Sequence, residues 1–309
     1  MSEPSPGKTP ADVRAGVTAA VTAYVIWGFL PIYFKLVSFT QPLELLGHRV
    51  LWSVPAAIII VVIAMGWREG FAAVAAAFRG RMIALLSAAA LLIFANWGLY
   101  IYAVAQGHVM EAALAYFLSP LALALTGIFA FGERVRRLQA IALVLAGIGL
   151  VVQGLALGAP PWLALFLCAS WTGYALIRRS TPVAAPVGLL VETIVLIPIA
   201  GGLLWWLSQQ PGGAPSHDAG EMALIALSGV ITAAPLMLFA YGARRLMVTT
   251  IGMLNYIAPA LQFLVGLAYG ELLTPLRAVS FALIWAALIV FTWDALSRRA
   301  PATGNHTAP

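Results

Sequence analysis

The chain has 309 residues, of which 62% are hydrophobic and only 9% are charged, and its formal net charge is +6. A soluble domain carries about 25% charged residues, which keep its surface wetted, so this composition excludes a soluble enzyme. The single cysteine, Cys168, excludes a disulfide framework and a cysteine-based metal cluster. Most basic residues lie at the ends of apolar segments, as membrane topology requires, so nucleic acid is not an expected partner.

Ten apolar segments follow one another along the chain, separated by short polar breaks, and each approaches the length of about 20 residues that a membrane helix needs. The first segment is too long for the core of a signal peptide, and no A-x-A site follows it, so we expect it to be retained. The predicted spans are 16–37, 45–66, 82–105, 112–131, 137–155, 160–177, 186–207, 221–243, 249–269 and 276–296. The expected fold class is an all-α membrane protein with ten transmembrane helices.

The lysine and arginine residues predict the orientation of these helices. With the N-terminus in the cytoplasm, 14 of the 17 basic residues fall on the cytoplasmic side. Two, Lys35 and Arg277, fall outside, and Arg49 lies within the second span. Because cytoplasmic loops are enriched in lysine and arginine, both termini are predicted to be cytoplasmic.

An internal repeat divides the spans into two sets of five. Phe117-Leu-Ser-Pro120 in the fourth span corresponds to Tyr256-Ile-Ala-Pro259 in the ninth, 139 residues later, and a Gly-Glu pair follows both at similar spacing. An odd number of helices in each half makes the second half enter the membrane from the opposite side. Such inverted repeats are typical of secondary transporters, although a repeat of one membrane unit could also be purely structural.

The repeat predicts four regions of the chain and two hinges. Pro120 and Pro259 each remove a backbone donor at corresponding positions, so they can kink their helices and mark the binding region. The expected regions are a disordered N-terminus over 1–13, a first five-helix repeat over 14–155, a second over 156–299, and a disordered tail over 300–309.

Several stretches in both halves carry a family resemblance. They are Glu44–Ser53, Asn96–Tyr100, Gly107–Glu111, Tyr116–Pro120, Thr232–Leu236, Ala243–Leu246, Leu254–Pro259, Tyr269–Glu271 and Phe281–Trp285. On these motifs the chain resembles the drug/metabolite transporter superfamily, its EamA-type ten-helix members and, among them, the RarD group. The resemblance covers roughly residues 14–299 and implies an inner-membrane permease or exporter of small metabolites.

Ionisable residues inside the spans are site candidates, because each costs several kcal/mol unless it is paired or faces water. Arg49 lies roughly 6 Å inside the outer end of its helix, at a rise of 1.5 Å per residue. It is expected to pair with Glu111, to bind an anionic substrate group, or to be a structural, snorkelling arginine. His48 could move protons near neutral pH or act as a structural donor. Glu192 could couple protons or form a structural ion pair.

Polar and aromatic residues complete the predicted site. Asn96 and Tyr100 are four residues apart and project from one helix face. Amide and aromatic groups of this kind suit a small amphipathic solute, and they could equally be interhelical packing contacts. The predicted substrate-binding residues are Arg49, His48, Asn96, Trp97, Tyr100, Tyr116, Phe117, Asn255 and Tyr256, with Glu111 and Glu192 as pairing partners.

The sequence therefore predicts a secondary transporter, exporting small metabolites or drugs by alternating access in the bacterial inner membrane. No G-x-x-x-x-G-K-[ST] loop is present, so an ATPase is not expected, and no catalytic residue, metal or cofactor is predicted. A membrane scaffold or sensor without transport, and a membrane-embedded enzyme, are the alternatives. The expected partners are a small-molecule substrate, the lipid bilayer and a second copy of the chain, which glycines such as Gly147 and Gly266 would let approach.

Overall fold

The computed structural model describes residues 9–131, 137–158, 160–210, 217–243, 245–246 and 254–297. Within these ranges the regular structure is helical, and twelve helices are joined by short connections. They are α1 (Pro10–Gly28), α2 (Leu30–Leu36), α3 (Pro42–Met65), α4 (Trp67–Ala77), α5 (Gly80–Ala105), α6 (Val109–Phe131), α7 (Arg137–Leu157), α8 (Trp162–Ser180), α9 (Ala185–Ser208), α10 (Ala219–Ala243), α11 (Ile257–Ala268) and α12 (Pro275–Ser297).

The first predicted span, 16–37, is not one continuous helix. It is divided into α1 and α2, which are bent by 41° at Phe29. The break has a local cause, because Pro31 in the first turn of α2 has no N–H to donate to the carbonyl of Trp27. Gln262 Nε2 donates to that carbonyl instead, at 3.0 Å. The first predicted span is therefore a bent pair of helices, and the break is stabilised by a side chain from α11.

Helix α4 lies in the stretch that the sequence analysis treated as a polar break. Gly66, with φ of +79°, ends α3, and the chain then forms an eleven-residue helix. Its buried residues Gly70, Val74 and Ala77 recur at helical spacing, and Val74 and Ala77 pack into a cluster with Ile60 of α3. The alanine-rich stretch is thus an amphipathic helix that packs along the bundle.

Many helices are long and apolar enough to cross a bilayer. Among the described residues, five helices have the length and the apolar composition that a membrane span requires, and the bent pair α1–α2 is a sixth candidate. Four further apolar helices contain 10–17 described residues. Large aliphatic side chains lie on the outer surfaces of the apolar helices. Examples are Ile63 of α3 and Leu155 of α7, which are 71% and 68% exposed. Such a surface is suited to lipid rather than to water.

The chain divides into two compact units. The first, which comprises the described residues among 9–119 and 162–272, has α3 packed against α9 and α10, α1 against α10 and α11, and α5 against α8. The second, which comprises the described residues among 120–161 and 273–297, pairs α7 with α12. There Ser280 Oγ donates to the Gly149 carbonyl at 2.8 Å, and a Cβ on Gly149 would collide with Ile284. The small residue thus permits the close approach of α7 and α12.

Three contacts join α3 and α10 in the first unit. At the start of both helices, Glu44 Oε1 lies 2.7 Å from His217 Nε2. Further along, Gly229 lies against the Trp52 carbonyl, where any Cβ would overlap the backbone. Between these two levels on α3, Arg49 Nε donates to Thr232 Oγ1 at 2.8 Å. The order of the Glu44 and Trp52 contacts shows that α3 and α10 run parallel.

His217 is held between two carboxylates at the start of α10. Its side chain is only 4% exposed, with Nε2 facing Glu44 and Nδ1 lying 3.2 Å from Glu221 Oε2. Burial disfavours the charged ring, but the hydrogen bonds to Glu44 and Glu221 outweigh it and raise the pKa of His217 above its ordinary value. The two carboxylates therefore favour the charged form of the ring, and His217 is a clamp between α3 and α10.

We expect this clamp to make the stability of the protein dependent on pH. A raised pKa in the folded state contributes stability that is fully present below the unfolded value of about 6.5, and that is lost as pH rises through the folded value. The thermal unfolding midpoint of the wild type should fall between about pH 6 and pH 9 more steeply than that of His217→Gln. Equal slopes in the two proteins would contradict the clamp. Glu221→Gln, which changes the more exposed carboxylate, should have the smaller effect.

Candidate functional site

A cavity lies within the first unit, and side chains from most of its helices line it. The space between its atoms is about 850 Å³ with the open mouth included. The lining is largely aromatic and aliphatic, with a few polar groups. It consists of Trp27, Leu30, Arg49, Ile93, Asn96, Trp97, Tyr100, Tyr116, Trp171, Tyr174, Leu189, Glu192, Thr232, Leu236, Asn255, Ala258, Pro259 and Gln262.

Arg49 is the main charged group of this cavity. It is only 5% exposed, and its Nε donates a hydrogen bond to Thr232 Oγ1. The Thr232 hydroxyl donates in turn to the Ser228 carbonyl at 2.8 Å, so the partner of the guanidinium is neutral. Nη1 is buried without a hydrogen-bond partner among the described residues. The charge is thus anchored at one nitrogen and left unsatisfied at another.

Aromatic faces cover the guanidinium. The Cζ atom of Arg49 lies 4.3 Å from the centre of the Trp97 ring and 5.5 Å from that of Phe34. Cation–π contacts at these distances favour the charge without consuming its N–H donors. They hold the guanidinium in the cavity wall and leave its donors available for a ligand.

The alternative in which Arg49 pairs with Glu111 is not the arrangement found. Glu111 lies in the first turn of α6, where its Oε2 is 4.0 Å from His108 Nδ1. Arg49 instead extends towards α10, and within the described residues it forms no salt bridge with Glu111. Glu111 is also absent from the cavity lining, so its predicted pairing role is not supported by its position.

Asn96 lines the cavity and also ties three helices together. Its Nδ2 donates to the Leu167 carbonyl at 3.0 Å and to Ser170 Oγ at 2.9 Å, both in α8. Its Oδ1 accepts from the Tyr116 hydroxyl at 3.2 Å. The two interpretations of Asn96 from the sequence, a cavity group and an interhelical packing contact, therefore both apply, because the amide that borders the cavity also joins neighbouring helices.

Four aromatic rings form a continuous wall on this side. Tyr100 contacts Tyr116, Tyr116 contacts Trp171, and Trp171 contacts Tyr174, with ring centres 5.8, 6.1 and 5.8 Å apart. Most of these contacts are edge-to-face, the arrangement that aromatic pairs favour. The Tyr100 hydroxyl is buried and has no hydrogen-bond partner among the described groups.

Glu192 forms the ion pair that the sequence analysis considered. Its Oε1 lies 3.4 Å from Arg178 Nε, and its Oε2 accepts from the Tyr174 hydroxyl at 3.2 Å. The Arg178 guanidinium also packs over Gly188, where a Cβ would overlap it. The Glu192 carboxylate, 2% exposed, is thus balanced by a neighbouring cation.

The α11 segment contributes Asn255, Ala258, Pro259 and Gln262 to the lining. Pro259 lies in the first turn of α11, where its missing N–H costs no intrahelical bond. Gln262 bonds the Trp27 carbonyl through Nε2, while its Oε1 is buried without a partner. Pro120 lies within α6, and its side chain is outside the part of the structure that is described.

Three predicted residues are not part of the cavity wall. His48 is half-buried on α3, Phe117 is buried in α6, and Tyr256 precedes α11. Conversely, sequence reasoning did not single out Thr232 or Tyr174 as site residues. In the sequence, Thr232 could have been recognised as a hydroxyl within an apolar span, four residues after Ser228. Tyr174 offered no sequence signal beyond its aromatic ring. No group of three or more potential metal ligands occurs in the described ranges.

Comparisons with known proteins identify the family. The profile of the EamA-like transporter family matches residues 14–154. Protein RarD of Salmonella typhimurium is 38% identical and covers 92% of this chain and 97% of its own. Protein RarD of Escherichia coli is 36% identical and covers 92% and 96%, and the uncharacterized transporter YojE of Bacillus subtilis is 37% identical and covers 92% and 95%.

A solved crystal structure shares the fold, with a TM-score of 0.62 at 20% identity over 93% of this chain and 99% of that one. The apolar helices, the internal cavity and the transporter relatives agree in describing a multi-pass membrane transporter. The chain therefore belongs to the EamA-like transporter family of the drug/metabolite transporter superfamily, as a RarD-type member.

Proposed function

We propose that the protein is a secondary transporter that moves a small metabolite or drug across the bacterial inner membrane by alternating access around the cavity. The observation that carries this proposal is a buried cavity, lined by polar and aromatic groups, inside helices whose outer surfaces are apolar. A scaffold or sensor has no need for such a cavity. A membrane-embedded enzyme would need a nucleophile beside a base, yet the lining residues described here include no serine, cysteine or histidine.

The proposed topology is ten spans in two inverted five-helix repeats, over 14–155 and 156–299, with both termini in the cytoplasm. The five long apolar helices, the bent pair and the four shorter ones match the ten predicted segments in order. The parallel course of α3 and α10 supports this topology. These helices correspond to the second and eighth spans, which would both enter the membrane from outside. The family match over 14–154 is consistent with a first repeat of that extent.

The direction, hinges and oligomeric state are part of the same proposal. Export rests on the family resemblance. Pro120 and Pro259 are proposed hinges, since prolines at corresponding positions of the two repeats favour motion at equivalent places. A homodimer is proposed through the face that carries Gly147, because a Cβ at that position would meet no other atom within 4 Å.

The topology is testable by cysteine labelling in a Cys168→Ser background. Arg79 and Thr274 are both exposed, and the proposed topology places them on opposite sides of the membrane. A membrane-impermeant thiol reagent should label Arg79→Cys from the cytoplasmic side only and Thr274→Cys from the outer side only. Labelling of both variants from the same side would overturn the ten-span arrangement.

Alternating access predicts that the cavity is reached from both sides of the membrane. Asn255 lines the cavity and is half-buried, so Asn255→Cys in the same background should react with the impermeant reagent added to either side. The reaction should be slowed by any compound that binds the cavity. Ile63→Cys, on the lipid-facing surface, is the matched control and should react from neither side. Reaction of Asn255→Cys from one side alone would contradict alternating access.

For Glu192 we propose a structural role, which its variants can test. Glu192→Gln should lower the free energy of unfolding by about 3–5 kcal/mol, because it leaves the buried Arg178 cation without its counter-charge. Adding Arg178→Gln should recover most of the loss, as measured by denaturant or thermal unfolding of the purified protein. If the double variant is no more stable than the single one, the ion pair is not the reason for the effect.

A further inference from the structure

We propose that the cavity takes a small organic monoanion, a carboxylate on an aromatic or other apolar body, and that Arg49 recognises the carboxylate. This inference rests on the proposed function and names the substrate class of that site. It starts from the state of the buried charges in the cavity.

Within the part of the chain that the structure describes, the guanidinium of Arg49 has no counter-ion. Its Nε donates to the neutral hydroxyl of Thr232, and buried Nη1 has no hydrogen-bond partner among those residues. A buried arginine without an anion is unfavourable by several kcal/mol. The aromatic faces of Trp97 and Phe34 compensate only in part, since a cation–π contact satisfies none of the N–H groups. An anionic ligand would satisfy both the charge and the free donor.

The other charges around the cavity do not supply that anion. Glu192 is the one acidic residue of the described lining, and its carboxylate is already engaged by Arg178 and Tyr174. With Glu192 neutralised by Arg178, Arg49 is the remaining charge among the described lining residues. A single positive charge matches a monoanion better than a dianion or a neutral solute.

Three further lining atoms are buried without hydrogen-bond partners among the described groups. They are the Tyr100 hydroxyl, Gln262 Oε1 and Glu192 Oε1, the last of which lies 3.4 Å from Arg178 Nε in the ion pair. Phe34 contacts both the Arg49 guanidinium and the Tyr100 ring, so Tyr100 belongs to the same side of the cavity. Arg49 and Tyr100 are donors that a carboxylate can accept from, and Gln262 offers an acceptor to a donor elsewhere on the ligand. A buried polar atom that is left unpaired is costly, so these atoms define what the ligand must provide.

The aromatic walls of the cavity determine which kind of organic group can carry the carboxylate. The continuous contacts from Tyr100 through Tyr116 and Trp171 to Tyr174 form an aromatic wall, in which two of the three contacts are edge-to-face. Such a surface favours a planar or apolar body. An inorganic anion or a sugar would leave this surface facing water, and the polar groups of a sugar would find few partners there.

Matched pairs of ligands test the inference on the purified full-length protein in detergent. The probes are phenylacetate with phenylacetamide, benzoate with benzamide, and cyclohexanecarboxylate with its amide, which differ within each pair mainly in charge. Dissociation constants come from ligand-dependent thermal unfolding. At least one carboxylate should bind about 10-fold or more tightly than its amide, as expected for charge-assisted hydrogen bonds. If no carboxylate is preferred over its amide, the assignment is overturned.

Variants of Arg49 test whether this residue causes the preference for a carboxylate over its amide. Arg49→Met should remove the discrimination between acid and amide, and Arg49→Lys should retain part of it, since the charge remains but the planar fork is lost. Lys35→Met is the matched control, because Lys35 is a cation over the Tyr269 ring and lies outside the cavity lining. It should keep the preference unchanged. Persistence of the preference in Arg49→Met would place the anion site elsewhere.

The ligand-free protein gives a second readout that separates binding from structure. If Arg49 serves a ligand, Arg49→Met should leave the thermal midpoint of the empty protein unchanged or raise it, because an unpaired buried charge is removed. A clear fall would indicate a structural arginine and contradict the inference. Transport itself is judged separately by whether the cysteine introduced in place of Asn255 is reached from both sides. Access from both sides without any carboxylate preference would leave the transporter standing and refute its substrate class.

Discussion

The parallel contact between α3 and α10 is the constraint on which the first unit depends. Gly229 lets α10 approach the backbone of Trp52 more closely than any side chain would allow. At that separation the Arg49 side chain reaches Thr232, and at the helix starts Glu44 reaches His217. A wider spacing would break the hydrogen bond that orients Arg49, so the position of the cavity's cation follows from a glycine on another helix.

The bundle treats its buried charges in two different ways. Glu192 and Arg178 neutralise each other, and Glu192 also accepts from the Tyr174 hydroxyl, so the pair can be buried at moderate cost. Among the described residues, Arg49 has a neutral hydroxyl and aromatic faces as its partners. This difference between the two charges gives the cavity an electrostatic preference for anions. A closed ion pair stabilises a fold, whereas an open cation in a cavity is suited to recognition, because its unfavourable burial is relieved only when an anion arrives.

Backbone irregularity shapes the cavity as much as charge does. Pro31 ends the continuity of the first span and frees the Trp27 carbonyl, and Gln262 occupies that carbonyl while its own oxygen remains available. In a uniform helix the Trp27 carbonyl would accept from the backbone N–H four residues later. Membrane proteins tolerate such breaks where neighbouring side chains replace the lost bond and where the segment borders a cavity rather than lipid. The bent pair α1–α2 meets both conditions.

The sequence by itself determined the helical segments, because apolar runs of about 20 residues must satisfy their backbone groups internally in lipid. It also marked Arg49, Asn96 and Glu192, since polar groups are rare and costly in spans. It missed helix α4, whose alanine-rich pattern was too weak, and it left the role of Arg49 open between a pair with Glu111, an anionic substrate group and a structural, snorkelling arginine. Only the tertiary structure shows that Arg49 donates to Thr232, because helix spacing and rotation, which no single helix encodes, set the contacts between helices.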